Sequence, residues 1–144
     1  MAKTMMLDVV DSEKQIFSGE VEYLVAPAFE GEIGIYPNHI ALISKLKPGI
    51  LRLQIPNQAY QLIYAISGGF VEINDNHTTV LADIVERTEE LDEARLIEQK
   101  NQALKKIQAA ENSNTDFTKA QAALEIAIAQ LKAMEYIRNN KNKV

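Results

Sequence analysis

The chain contains no cysteine. That excludes disulfides, cysteine-based zinc sites and thiol nucleophiles. Histidine is scarce, at His39 and His77 only, and their positions carry no metal-binding spacing. No phosphate loop of the G-x-x-x-x-G-K-[ST] kind and no G-x-S-x-G elbow is present. No apolar run reaches the roughly 20 residues that span a bilayer. The start, MAKTMMLDVV, has no signal-peptide core. A soluble cytoplasmic chain with no direct membrane insertion is the expectation, able to sit on a membrane through a partner. Basic residues are few before residue 87, with 5 Lys+Arg against 11 Asp+Glu. Phosphate backbones need clustered Lys and Arg, so no nucleic-acid partner is expected. Residues 87–144 hold 10 Lys+Arg and 9 Asp+Glu, a mixture typical of a solvated helix surface.

Glycine and proline are also missing from the second half. All six glycines and all four prolines precede residue 70. Before residue 87, short β-rich runs alternate with turn signals. The runs are 4–10, 21–26, 32–36, 40–46, 49–55, 59–66, 70–73 and 78–83. Between them stand Ser18-Gly19, Glu30-Gly31, Pro37-Asn38, Pro48-Gly49, Pro56-Asn57, Ser67-Gly68-Gly69 and Asp75-Asn76. In 50–55, Leu51, Leu53 and Ile55 point one way and Arg52 and Gln54 the other. This pattern predicts a β-sandwich or flattened barrel over residues 1–86. His77, in NDNHTT, reads as a polar residue leaving a hairpin turn.

Residues 87–144 have helix composition, rich in alanine, leucine, lysine and glutamate. Thr88 is the expected first cap, with Glu89, Glu90, Asp92 and Glu93 suiting the helix dipole. Leu96, Ile97, Lys100, Ala103, Leu104 and Ile107 form one stripe. AAENSNTD at 109–116 breaks the helix, with Thr115 or Asp116 as the next cap. Phe117, Ala120, Leu124, Ala127, Ile128 and Leu131 form a second stripe. The expectation is an antiparallel two-helix hairpin, a helix–turn–helix domain over 87–144. Its narrow, alanine-rich stripes bury little area, so it needs support from the β domain or a partner. The second helix also carries Ile126, Ala133 and Ile137 on another face. These are either ordinary exposed apolar residues or the mark of a helix with a second partner.

The segment GEIGIYPNH, residues 31–39, is the most punctuated in the chain. Gly31 and Gly34 permit positive φ, Pro37 fixes a bend, and Ile33 and Ile35 anchor it in the core. Glu30, Glu32 and His39 then stand at the rim of a rigid scaffold, where contact surfaces usually lie. An acid–base site of His39 with Glu30 or Glu32 is the catalytic alternative.

Four blocks occur in order: GEIGIYPNHIALISKLKPGILRL, ISGGFVEI, TVLAD and ELDEAR. Together with LDVV and IFSGEVE near the start, they resemble the epsilon subunit family of the bacterial F-type ATP synthase over nearly the whole chain. The resemblance implies a β-sandwich of about ten strands followed by a helical pair. It implies a non-catalytic central-stalk subunit that couples ion translocation to ATP synthesis and restrains ATP hydrolysis through its C-terminal helices. The implied partners are the gamma subunit, the ring of c subunits, and the alpha and beta subunits. The implied place is the cytoplasmic face of the plasma membrane, peripheral through the complex, with the isolated chain monomeric. Glu30, Gly31 and Glu32 would meet the c ring, with His39 close to gamma. Lys132, Arg138, Lys141 and Lys143 would face an acidic surface on the catalytic head.

Some members of that family bind ATP through [IL]-D-x-x-R-A. Leu91-Asp92-Glu93-Ala94-Arg95 fits, but Leu96 replaces the final alanine, and no arginine lies between residues 96 and 137. Asp92 and Arg95 are therefore weak ATP candidates, and a helix-surface pair at i, i+3 is the simpler expectation. No other cofactor is expected. Two readings from other classes stand beside this one. A chaperone-like module with helical arms would self-assemble and bind unfolded chains. A small hydrolase using His39 would turn over substrate alone.

Overall fold

The computed structural model describes residues 3–88, 91–109 and 114–141, without the side chains of 114–116 and 141. Eight strands come first: β1 (Met5–Val10), β2 (Gln15–Val21), β3 (Tyr23–Ala28), β4 (Gly31–Ile35), β5 (Leu42–Gln54), β6 (Gln61–Asn74), β7 (His77–Ala82) and β8 (Val85–Arg87). Two helices follow, α1 (Glu93–Ala109) and α2 (Asn114–Lys141). The strands form one sheet in the order β2-β1-β7-β6-β5-β3-β4, with β8 paired to β6. Neighbours are antiparallel except β1 and β7. Val21 and Ile35, from the two ends of that order, share one buried cluster with Leu7, Leu24, Leu51 and Val80. A flat sheet would keep its ends apart, so the sheet folds over on itself as a sandwich.

The described residues form eight strands, against the ten or so that the resemblance implies: two pairs of expected runs are continuous, and β2 and β8 add two that the run pattern lacks. Pro48-Gly49 lies inside β5 and Ser67-Gly68-Gly69 inside β6, where turns were expected. At these points the side-chain phase changes by one residue. In β6, Tyr64 and Ile66 face the core before the glycines, and Val71 and Ile73 face it after them. In β5, Leu46 faces inward before Pro48, and Leu51 and Leu53 face inward after it. A shift of one residue turns a strand over, so each long strand serves both layers. Gly69 makes the crossing sterically feasible. Its φ is 145°, and a Cβ there would lie 1.9 Å from the Leu81 carbonyl oxygen.

Strand β2 was not anticipated, because Ser18-Gly19 interrupts its apolar run and stands in mid-strand rather than at a turn. The turn is formed instead by residues 11–14. The Asp11 carboxylate accepts the Glu13 and Lys14 N–H groups there, both at 2.8 Å. Asp75 and Asn76 both take positive φ, as a two-residue hairpin requires, and His77 opens β7 as expected.

The first helix starts later than expected. Thr88 is buried, and its hydroxyl donates to the Ile63 carbonyl at 2.9 Å, fastening the end of the sandwich to β6. Asp92 is the cap. Its Oδ1 accepts the Ala94 N–H at 3.1 Å, and its carbonyl accepts the Leu96 N–H. Glu89 and Glu90 lie outside the described residues. So do the side chains of the expected second caps, Thr115 and Asp116; α2 itself begins at Asn114.

The first stripe is narrower than expected. Leu96 and Ala103 are buried and Lys100 and Ile107 half-buried, but Ile97 and Leu104 are exposed. On α2, Ala120 and Ala127 are buried among the expected stripe, whereas Phe117 is exposed. The second apolar face has a partner after all: the sandwich. Ala133, with Tyr136 and Ile137, packs on Ile63, Ala65 and Ile50. That contact explains a feature of β6. Ile63 to Ile66 are buried in succession because α2 covers their outer face, whereas Phe70 to Asn74 alternate with an exposed outer face.

Candidate partner-binding surface

The β3–β4 hairpin presents the predicted contact residues at a free edge. Ala28 pairs with Gly31 across a two-residue loop of Phe29 and Glu30. Gly31 takes φ 129°, which glycine alone adopts without strain. Gly34 is ordinary strand, contrary to expectation, and is absent from the positive-φ positions. Strand β4 ends the sheet, so one side of its backbone is open to a partner. Glu30, Gly31 and Glu32 are all exposed. Phe29 projects beside them with the Lys45 ammonium 5.1 Å from its ring centroid.

Glu32 is less free than its exposure implies. Its Oε2 meets Arg52 Nη2 at 3.0 Å. Arg52 also lies over the Tyr136 ring of α2, at 5.1 Å.

The 37–39 turn is pinned from outside. Asn38 has φ 64°, and its N–H donates to Asn76 Oδ1 at 2.8 Å, while Asn76 Nδ2 donates to the Thr4 carbonyl. His39 is half-buried, with Nδ1 2.7 Å from the Ile40 carbonyl oxygen. The ring thus binds its own main chain, and Glu32 is engaged by Arg52. The acid–base pairing considered from sequence is not assembled.

An apolar patch that sequence reading missed lies beside this turn. Ile40 and Ile43 are 80% and 73% exposed. On the outer face of the sheet, Phe70 pairs directly with Leu81 and with Lys45, one diagonal step from Ile43. Phe70 and Leu81 are also exposed. The signal was present in FVEIN, where one face is fully apolar and the other mixes Phe70 with Glu72. An aromatic on the outward phase of an alternating strand marks a face to be covered.

The helical candidates are placed differently from expectation. Arg138 pairs with Glu93 of α1 at 2.7 Å, closing the hairpin. Lys132 is exposed. The Lys141 side chain and Lys143 lie outside the described residues. Asp92 and Arg95 do share a small cavity of about 270 Å³ with Glu86, Leu91, Leu96, Gln99 and Gln130. No ion pair joins Asp92 to Arg95 among the described residues, because Asp92 caps α1. Gln130 Nε2 donates to Glu86 Oε2 across the cavity. Among the described residues Arg95 is its one cation and shares it with two carboxylates, a poor balance for a triphosphate. The described residues contain no cluster of three or more metal-binding side chains.

A rigid sandwich with a loop-borne rim and a docked helical hairpin defines a two-part binding protein. The sequence model described as ATP synthase, Delta/Epsilon chain, beta-sandwich domain matches residues 4–88. The one described as the long alpha-helix domain of the same chain matches residues 89–135. The chain belongs to the ATP synthase delta/epsilon family. Relatives named ATP synthase epsilon chain include that of Chromobacterium violaceum, 46% identical over 93% of this chain and 95% of that one. That of Nitrosococcus oceani is 46% identical over 96% and 97%, and that of Neisseria gonorrhoeae 42% identical over 95% and 97%. The fold is also that of a chain in the Euglena gracilis mitochondrial ATP synthase structure. It has a TM-score of 0.80 and 24% identity, covering 91% of this chain and 81% of that one. A chain of the Tetrahymena thermophila central stalk and c-ring structure gives 0.59 at 15% identity. The protein is a non-catalytic subunit of ATP synthase, and no described helix is long and apolar enough to cross a membrane.

Proposed function

We propose that the sandwich, residues 1–86, fixes the chain to the rotor, and that residues 87–144 regulate ATP hydrolysis. The observation that carries this reading is the uneven cover of the sheet. Helix α2 covers the half of β5 and β6 around Ile50 and Ile63. The half around Ile43, Phe70 and Leu81 stays largely exposed, with α2 reaching it through Glu125 at the rim of a cavity shared with Phe70 and Leu81. In a subunit of a rotary complex, a largely exposed apolar face suits a permanent partner, and gamma is the one we assign to it. The β3–β4 rim, with Glu30, Gly31 and Glu32, is polar and suits the polar loops of the c ring. Through those two partners the chain sits at the cytoplasmic face of the membrane and turns with the ring.

The hairpin contact is thin by comparison. Its centre is Ala133 on Ile63 and Ala65, with Tyr136 and Ile137 at the sides. Around this small apolar centre the hairpin is held by polar contacts, Gln130 with Glu86 and Tyr136 with Gln61, which water can replace on release. Released and opened, the hairpin would carry the already exposed Lys132, and Arg138 once it parts from Glu93 of α1, to an acidic surface on the alpha and beta subunits. Binding to a gamma and c-ring subcomplex, measured for the full chain and for Phe70→Glu and Ile43→Glu, tests the rotor assignment. Loss of binding in both variants with an unchanged circular dichroism spectrum is expected. Full binding by both would remove gamma from that face.

A further inference from the structure

Arg52 occupies an unusual position. It binds Glu32 on the rim at 3.0 Å and stacks 5.1 Å from the centroid of Tyr136 on α2. Its Nε is buried and has no hydrogen-bond partner among the described residues. Glu32 itself forms no hydrogen bond or ion pair with a described residue of the hairpin. A second route leads the same way. The Tyr136 hydroxyl donates to Gln61 Oε1 at 3.0 Å, and Gln61 Nε2 donates to the Tyr23 hydroxyl at 2.8 Å. The Tyr23 ring packs on Tyr36 at 5.5 Å, immediately before the 37–39 turn. Tyr136 is thus joined by two paths to Glu32 and Tyr36, both within GEIGIYPNH.

The energetics make Arg52 a shared resource. A stacked guanidinium gives up water on one face and relies on its carboxylate for compensation and for the orientation of its plane. If another donor takes Glu32, Arg52 keeps a half-buried charge and an orphaned Nε under Tyr136. Hydrating that charge requires Tyr136 to move away. Engagement of Glu32 and docking of the hairpin therefore compete.

We propose that Arg52 couples the two. A partner that binds the Glu32 carboxylate through its own N–H or ammonium donors weakens the hold of the sandwich on the hairpin. By linkage, a docked hairpin weakens that partner's grip on Glu32 to the same degree. The partner half of this statement rests on the reading of the rim given above; the coupling within the chain does not.

The absence of native cysteine allows a clean distance measurement. Labels at exposed Gln58, in the turn before β6, and exposed Asn139, on α2, report the ratio of released to docked hairpin in the full chain. Glu32→Gln, Tyr136→Leu and the double variant are compared, first in the native background and then with Arg52→Met or Arg52→Lys. Glu32→Gln is expected to raise the ratio by roughly two- to five-fold, the size expected of one such contact. Its effect should be non-additive with Tyr136→Leu and should vanish when Arg52 is replaced. Additive effects, or a Glu32→Gln effect that survives in both Arg52 variants, would overturn the proposal. Whether the rim binds the rotor is read separately, from assembly of the Glu32→Gln chain with the gamma and c-ring subcomplex. Weakened assembly without internal coupling sinks the coupling alone. Internal coupling with unchanged assembly sinks the rim's binding role, and with it the partner half of the proposal.

Discussion

Ala133 of α2 is fully buried against Ile63 of β6. Its apolar neighbours there are Ile63 and Ala65, with Ile50, Tyr136 and Ile137 at the sides. Ala133→Glu would place a carboxylate in an apolar contact, at a cost of several kcal/mol if it stayed docked. Release avoids that cost. The variant should therefore show a released hairpin with the thermal midpoint of the sandwich nearly unchanged. A docked hairpin in that variant, read by the same pair of labels, would contradict the account of the interface.

Gly69 is the hinge of the fold rather than of the regulation. Its Cβ would collide with the Leu81 carbonyl oxygen, and its φ lies where other residues are strained. Gly69→Ala should cost at least about 3 kcal/mol, from steric clash and backbone strain together. Denaturant unfolding of the full chain measures it. A loss under about 1 kcal/mol would mean that β6 and β7 separate easily at the crossing.

Asp8 gives the sandwich an acid-sensitive element. Hydrogen bonds from the Ser18 and His77 side chains, in that order of weight, hold its carboxyl below the usual range. The His77 contact is 2.6 Å, and Gln15 Nε2 adds another at 2.9 Å. The folded pKa is lower than the unfolded one, so the unfolded chain takes up its proton first as pH falls. This contribution is complete above the unfolded value of about 3.9 and disappears as pH drops through the folded value. The exposed Asp11 carboxyl is lowered by the Glu13 and Lys14 N–H groups and acts in the same direction. Thermal midpoints measured from about pH 6 to about pH 3 should fall less steeply in Asp8→Asn than in the native chain. Parallel curves would show that Asp8 carries none of the acid sensitivity.

The cavity at Asp92 and Arg95 should bind ATP weakly. One guanidinium faces Glu86 as well as Asp92, and Gln130 already occupies Glu86. Titration calorimetry is expected to show no saturation at micromolar ATP. Gln130→Arg adds the missing cation and should tighten binding. Micromolar saturation in the native chain would refute this reading of the cavity.

Much of this architecture could be read from the chain. Alternation exposed the inward phase of Leu51 and Leu53, and the loss of glycine and proline marked the helices. What failed were features decided by tertiary contact. Gly68-Gly69 looks like a turn in one dimension, but it is a strand crossing because β7 approaches there. Thr88 looks like a cap, but the Ile63 carbonyl claims its hydroxyl. The unbroken run from Leu62 to Ile66 did signal cover on both faces, and Ala133 was the matching half of that signal. In the contact surface, GEIGIYPNH was legible through its glycines and proline. The link from Glu32 through Arg52 to Tyr136 was not, because it joins residues 104 positions apart that only the docked helix brings together.

In the proposed division of labour the sandwich binds and the hairpin restrains. The most direct test is ATP hydrolysis by a catalytic head complex purified without this subunit, with three chains added back. These are the full chain, the chain ending at Thr88 so that β8 and its bond to Ile63 are kept, and the Ala133→Glu chain. Binding by all three is expected, with no slowing by the truncated chain, slowing by the full chain, and stronger slowing by Ala133→Glu. Equal rates with the full and truncated chains, both bound, would contradict that division of labour.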